Sequence, residues 1–336
     1  MKKCRMAVIG LGYIGGLHAR IIAEALNTEL VAVADLNMDL SNEYAQKYDC
    51  TAYADYHEML QNEDIDAVDI CVPEDFHLKT AIDVANMKKD FMIEKPLAKT
   101  LEDCLTIEKA ALANQVRFMV AQVCKFDPRY IELKESIRRG ELGEISALSF
   151  KRGNPVFTAN RLQGKVSFFY YLGIHDLEMM VDYNMPAKPV KVYAQASNKK
   201  NGHMNNDLDA AFVIINFDNG AVGHLHLCWA YPNNPAMGIW SIAEVTGTKG
   251  VGMIEVRNQG LEIMTEAADT FPDTLLWPEY CEKIQGALKE EIIHFADATM
   301  NHTAYAVDTQ CCIRGVAIAE AALTSIQTGE PVELSL

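Results

Sequence analysis

The apolar run Met6-Ala7-Val8-Ile9 breaks into Gly10-Leu11-Gly12-Tyr13-Ile14-Gly15, and a helical pattern follows at once. Ile14, Leu17, Ile21, Ile22 and Ala25 fall on one face at helical spacing. Strand, glycine turn and helix in direct succession open a crossover unit and commit the chain to a parallel sheet. Each glycine has its own task in such a turn. Gly10 permits the sharp exit from the strand, Gly12 lets backbone approach a pyrophosphate, and Gly15 lets the helix sit close on the sheet. The first helical turn, from Tyr13 and Ile14, then offers unpaired N–H groups and the positive end of a dipole to an anion. A second apolar run, Glu29 to Ala34, ends at Asp35, 20 residues past Gly15. A carboxylate there binds an adenosine ribose diol and repels a 2′-phosphate, and Leu36-Asn37 supplies no arginine to receive one. The pattern predicts a dinucleotide site that takes NAD rather than NADP.

The alternation continues to about Gln122. Strand patterns at Met6–Ile9, Leu30–Ala34, Ala67–Val72, Phe91–Ile93 and Arg117–Val120 are separated by helical ones at Asn37–Tyr48, Tyr56–Asn62, His77–Met87 and Leu101–Ala113. That is a doubly wound α/β domain, residues 1–122, whose ligands sit outside the carboxyl ends of the strands. Val72-Pro73 and Glu94-Lys95 lie at such ends and are candidate cofactor contacts. Residues 123–336 follow another grammar. Asp127-Pro128 opens a helix, and runs such as Ile145–Lys151, Val190–Ala196, Leu208–Phe217, Ala221–Trp229, Ser241–Thr246, Val251–Val256 and Leu261–Met264 read as strands. Asp218-Asn219-Gly220 and Asn258-Gln259-Gly260 are turns between them. This half is an α+β domain on a mainly antiparallel, open-faced sheet, with Leu225, Leu227 and Trp229 expected to need a partner surface. Helical patterns at Glu279–Met300 and Asp308–Gln327 close the chain, the last expected to pack back on the first domain.

A net charge of −16 repels nucleic acid and anionic membranes, so neither is an expected partner. The nine cysteines form no C-x-x-C pair and read as reduced thiols of a cytoplasmic protein without a metal site. His224 and His226 share one face of a strand, read as a polar sheet face at a subunit interface. No segment is long and apolar enough to span a membrane.

Several stretches together resemble one family. They are Ala7–Gly15, Pro73 with His77, Glu94-Lys95-Pro96, Lys125-Phe126-Asp127-Pro128, Gly173-Ile174-His175 and Ser325-Ile-Gln-Thr-Gly329-Glu-Pro-Val332. The chain resembles the glucose–fructose oxidoreductase and myo-inositol dehydrogenase (Gfo/Idh/MocA) family over nearly its whole length. The resemblance implies an N-terminal Rossmann domain, a C-terminal sheet that builds a homodimer or homotetramer, and hydride transfer between NAD and a secondary hydroxyl of a sugar, polyol or glycoside. It implies that Lys95 is the catalytic lysine, that His175 faces it across the substrate, and that Lys95–Pro96 is cis. The chain departs from the family pattern at Tyr171 in place of an aspartate, Lys125 in place of an arginine, and Glu74 in place of asparagine or threonine.

Oxidising an alcohol needs a base for the hydroxyl proton. A free lysine, with a pKa near 10.4, becomes one only when burial or a neighbouring cation lowers that value. Lys95 is the candidate, His175 the second proton-handling group, and Tyr171, four residues earlier, a relay or a shaping residue. Arg152 is a candidate substrate contact, as are Arg161 and Lys165 nearby. Two other readings fit the same residues: a glycosidase or lyase that retains NAD and oxidises transiently, and a dinucleotide-binding regulator without turnover.

Overall fold

The computed structural model describes residues 2–200, 208–233, 238–257, 259–267 and 269–336; Asn258, in the second predicted turn, lies outside them. The chain divides into two compact units, one of residues 1–126 and 275–309, the other of 127–274 and 310–336.

In the first unit six parallel strands run in the order β3-β2-β1-β4-β5-β6. They are β1 (Cys4–Ile9), β2 (Thr28–Ala34), β3 (Thr51–Tyr53), β4 (Ala67–Ile70), β5 (Asp90–Glu94) and β6 (Phe118–Ala121). β3 has no counterpart among the predicted strands, because three residues are too few to show a periodicity. Helices α1 (Tyr13–Glu24), α2 (Met38–Tyr48), α3 (Tyr56–Asn62), α4 (His77–Asn86) and α5 (Leu101–Asn114) fill the crossovers. The strand order reverses between β1 and β4, the switch point where such sheets bind ligands. Gly10 leaves β1 with φ +92°, and a Cβ on it would lie 2.7 Å from the Cys71 carbonyl oxygen. A Cβ on Gly15 would lie 2.0 Å from the Gly10 carbonyl oxygen, so α1 rests directly on the strand exit.

The second unit opens with α6 (Pro128–Arg138), capped by Asp127, whose carboxylate accepts the Arg129 N–H. Its sheet contains β7 (Ile145–Pro155), β8 (Pro189–Ser197), β9 (Ala210–Phe217), β10 (Val222–Tyr231), β11 (Trp240–Gly247) and β12 (Val251–Glu255). Among the described residues of this sheet, only β7 and β10 pair in parallel; the other pairings are antiparallel. Between β7 and β8 lie α7 (Val156–Leu162) and α8 (Ile174–Tyr183), the latter entered through a π turn at Phe169–Gly173. α7 has no counterpart among the predicted elements, because seven residues give an apolar face too little room to repeat.

Two expectations are corrected. Leu225, Leu227 and Trp229 do not await a partner; each is fully buried within the chain, and the indole N–H of Trp229 donates to the Leu208 carbonyl at 2.6 Å. The more exposed sheet face carries their alternates His224 and His226, stacked on Phe212, with Ile214 and Met253 also exposed. The helix expected from Glu279 begins only at Ala287, as α9 (Ala287–Asn301). Positive φ at Cys281, Glu282 and Gly286 breaks the earlier turns, and a short pairing of Glu279–Tyr280 with Lys283–Ile284 replaces them.

α9 belongs to the first unit: the Asn27 amide donates to the Ile293 carbonyl, and the Arg117 guanidinium to the carbonyls of Ala298 and Thr299. The final helix, α10 (Thr309–Thr328), belongs from Gln310 onward to the second unit. There Gly315 lies flush on Glu178 of α8, and the Ser325 hydroxyl accepts the Ala194 N–H of β8 at 3.0 Å. Among the described residues no helix is long and apolar enough to cross a membrane.

The glycine loop yields a stability prediction. Gly15→Ala forces α1 off the strand exit and should cost about 1–3 kcal/mol or more, the range for overpacking. Gly12 has an ordinary φ of −59° and open space where a Cβ would go, so Gly12→Ala should leave thermal unfolding nearly unchanged. Calorimetry that ranks the two variants equally would contradict this account of the loop.

Candidate active site

The strand ends of the first unit meet around the glycine loop. Asp35 caps it: one carboxylate oxygen accepts the Leu11 N–H and the other the Asn37 N–H, both at 2.8 Å. Each oxygen retains a second acceptor direction for a ribose diol. Gly12 is the N-cap of α1 and makes no side-chain cap bond. Apart from its chain neighbours, no atom of the described residues lies within 4 Å of where its Cβ would stand, so a ligand's approach, not packing, is what a side chain there would obstruct. Tyr13 is exposed and Ile14 and Gly15 line the same turn. This arrangement fits a dinucleotide pyrophosphate at a helix N-terminus.

Val72 and Pro73 follow β4, and Lys95 and Pro96 follow β5, with the Lys95–Pro96 bond cis. The His77 ring, at the start of α4, bridges the two turns: Nδ1 lies 2.8 Å from the Pro96 carbonyl oxygen and Nε2 3.0 Å from that of Val72. Burial lowers its pKa, the two carbonyls pulling the other way. Glu94 grips the same turn from within, its carboxylate accepting the Lys95 N–H at 2.9 Å. Lys95 is thus held on a turn fixed from both sides.

Behind that turn lies a buried charge cluster that the sequence reading did not single out. His18 of α1 places Nδ1 2.8 Å from Asp69 of β4 and Nε2 3.6 Å from Glu94. Burial disfavours the imidazolium, but the charge and hydrogen bond of Asp69, with Glu94 and Glu291, overcome it and push His18 up to about 9. Glu291 of α9 is itself fully buried, and burial raises its carboxyl well above the usual range against the pull of His18. Burial likewise raises the Cys71 thiol, whose sulfur lies 3.5 Å from His18 Nδ1. One signal was available: Asp69 is a charge inside an otherwise apolar strand, and such a charge requires a partner.

His175, Tyr171 and Arg152 belong to the second unit. His175 sits in the first turn of α8, beside Asp176. Arg152, expected at the substrate, is buried and places Nε and Nη2 on the Asp176 carboxylate at 2.6 and 3.0 Å. This fork anchors the first turn of α8 to β7, so two of its nitrogens are committed to positioning the helix. Burial raises the Asp176 carboxyl, with Arg152 opposing it. Tyr171 lies in the π turn, and its phenol oxygen accepts a hydrogen bond from Arg161 of α7 at 2.7 Å. π turns are rare and recur at functional positions.

Comparison with known proteins identifies the family. Residues 4–122 match the model of an oxidoreductase family with an NAD-binding Rossmann fold, and residues 134–334 match that family's C-terminal alpha/beta domain. The scyllo-inositol 2-dehydrogenase (NAD(+)) of Bacillus subtilis is 28% identical over 339 residues, covering 99% of this chain and 96% of its own. The myo-inositol 2-dehydrogenase of Thermotoga maritima is 30% identical over 226 residues, 65% of this chain and 66% of that one. The crystal structure of myo-inositol 2-dehydrogenase from Lactobacillus plantarum superposes with a TM-score of 0.86 at 20% identity, over 99% of this chain and 100% of that one. A dinucleotide loop closed by Asp35, a lysine held at the end of β5 and a family match across both domains lead to one assignment: this chain is an NAD-binding oxidoreductase of the Gfo/Idh/MocA family.

Proposed function

We propose that this enzyme oxidises a secondary hydroxyl of a cyclic polyol of the inositol type, or of a sugar that presents the same array of hydroxyls. The observation that carries the reading is Lys95, fixed by Glu94 and His77 at a strand end of the sheet whose glycine loop is built for a dinucleotide. The inositol dehydrogenases among its relatives supply the substrate class. NAD, when bound, supplies the hydride acceptor. Lys95 takes the hydroxyl proton, and His175 is the second proton-handling group, its helix turn held by the Arg152–Asp176 fork. Tyr171 acts as a relay: its phenol accepts from Arg161, and a phenol can both accept and donate a hydrogen bond. The nine free cysteines suit a reducing compartment such as the cytoplasm.

The reaction is tested by incubating the protein with NAD and a panel of inositols, sugars and glycosides. Net NADH from a polyol or sugar is expected, and glycoside cleavage without net NADH would overturn the reading in favour of transient oxidation. Lys95→Met should abolish turnover while leaving NADH affinity within a few-fold. His175→Ala should lower kcat by roughly the 10²–10⁴-fold of a lost acid–base group. Tyr171→Phe preserves packing, so a fall in kcat supports the relay, and an unchanged kcat and pH profile removes it.

Cofactor choice follows from Asp35. Fluorescence titration should show NADH bound more tightly than NADPH, with the gap narrowed in Asp35→Ala. Gly12→Val should weaken both, since its side chain enters the space the pyrophosphate needs.

The exposed sheet face supports self-association. Phe212 and Met253 are 52% and 69% exposed on it beside the two histidines, a half-apolar surface suited to pairing with its own copy as a homodimer or homotetramer. Sedimentation should give a multiple of the 37.4 kDa chain mass, reduced by Phe212→Asp. A monomer mass at micromolar concentration would remove this idea.

A further inference from the structure

We infer that His18 is a positioning residue for Lys95: it links the dinucleotide helix to the turn that carries the lysine, by way of Asp69 and Glu94. The inference rests on the reading of Lys95 as the base. His18 lies on the second turn of α1, whose first turn belongs to the glycine loop, and both it and Asp69 are fully buried. Asp69 fixes the ring through Nδ1 at 2.8 Å, which turns Nε2 towards Glu94 Oε1 at 3.6 Å. The other oxygen of Glu94 accepts the Lys95 N–H. The contacts therefore run from α1 across β4 to the end of β5 and stop at the main chain of the lysine itself.

Helix packing alone does not account for this arrangement. An apolar side chain would fill the space between α1 and the sheet without burying a carboxylate at Asp69. A ring gripped by one carboxylate and aimed at a second is a device for orienting the second. His77 acts on the same turn from its other side, through the Pro96 carbonyl. The charged and titratable groups around His18 are Asp69 from β4, Cys71 just beyond it, Glu94 from β5 and Glu291 from α9. Glu291 and Cys71 lie in the same buried region, their pKa values raised by burial, and leave His18 as the cation that balances Asp69 and Glu94. A histidine is suited to this place because its ring can hydrogen-bond Asp69 through Nδ1 while its charge, with Nε2 3.6 Å from Glu94, pairs with the second carboxylate.

The test uses the full-length protein and two NMR readouts beside turnover. In the unmodified protein at pH 8, the His18 ring should be doubly protonated; a neutral ring overturns the inference, because it brings no charge to bear on Glu94. In His18→Gln, exchange of the Lys95 amide should be roughly tenfold faster, while the β1 amides keep their protection. NADH affinity should stay within a few-fold, and on the panel substrate kcat should fall by roughly ten- to a hundredfold with KM little changed. A purely structural role would instead loosen β1 and Lys95 together. Glu94→Gln, altered at the partly exposed end of the linkage, should also lower kcat, and the double variant should be no slower than the slower single one. Additive losses, or an unchanged Lys95 amide, would overturn the inference. If Lys95→Met is inactive while His18→Gln keeps full kcat, this inference alone falls; if Lys95→Met keeps turnover, the assignment of the base falls with it.

Discussion

The closeness of α1 to the exit of β1 is the constraint on which the rest of the first unit depends. Gly15 stands so near the Gly10 carbonyl that no side chain could intervene, and this contact sets the height at which the helix crosses the sheet. That height aims the open N–H groups of the first helical turn at the switch point between β1 and β4. It also lowers the second turn of the helix into the protein, which is why His18 is buried beside Asp69 rather than solvated. Cofactor loop and buried charge cluster are thus two consequences of one close approach.

Burial of charge recurs in both units and follows the same rule each time. A buried ionisable group needs a partner with matching geometry, and the partner then fixes both elements that carry the pair. His18 joins α1 to β4 in this way, and Arg152 joins β7 to α8. Removing one partner leaves the other charge stranded, so these pairs hold positions more than they add stability. In each unit such a pair lies next to a proposed proton-handling residue, behind Lys95 in one and beside His175 in the other. The apolar core supplies most of the folding free energy, whereas the buried pairs determine where particular side chains stand.

The two turns that frame Lys95 show how local sequence and long-range contacts cooperate. Glu94-Lys95-Pro96 and Val72-Pro73 were legible as strand-end turns because an apolar run stops abruptly before each. His77 was legible only as part of a motif; its task became visible when its ring was found between carbonyls 24 residues apart, those of Val72 and Pro96. Arg152 was read as a free cation for substrate, since a sequence shows the charge and not its partner.

What the sequence determined by itself was whatever repeats or is locally forced. The alternation of short apolar strands with amphipathic helices gave the parallel sheet, the glycine spacing gave the dinucleotide turn, and Asp35 followed from its distance past Gly15. Asp127 and Pro128 likewise announced a helix that the structure begins at Pro128. Elements too short to repeat, such as β3 and α7, left no signal. The tertiary structure alone decided which sheet face is buried, which late helix returns to the first unit, and which charges pair. Alternation along β10 shows that Leu225 and Leu227 share a face but not whether that face is covered, because coverage depends on elements distant in sequence. The same holds for α9 and α10: both are apolar enough to bury, and only the surfaces available to them, at Asn27 and Arg117 for one and Glu178 and Ala194 for the other, determine where each packs.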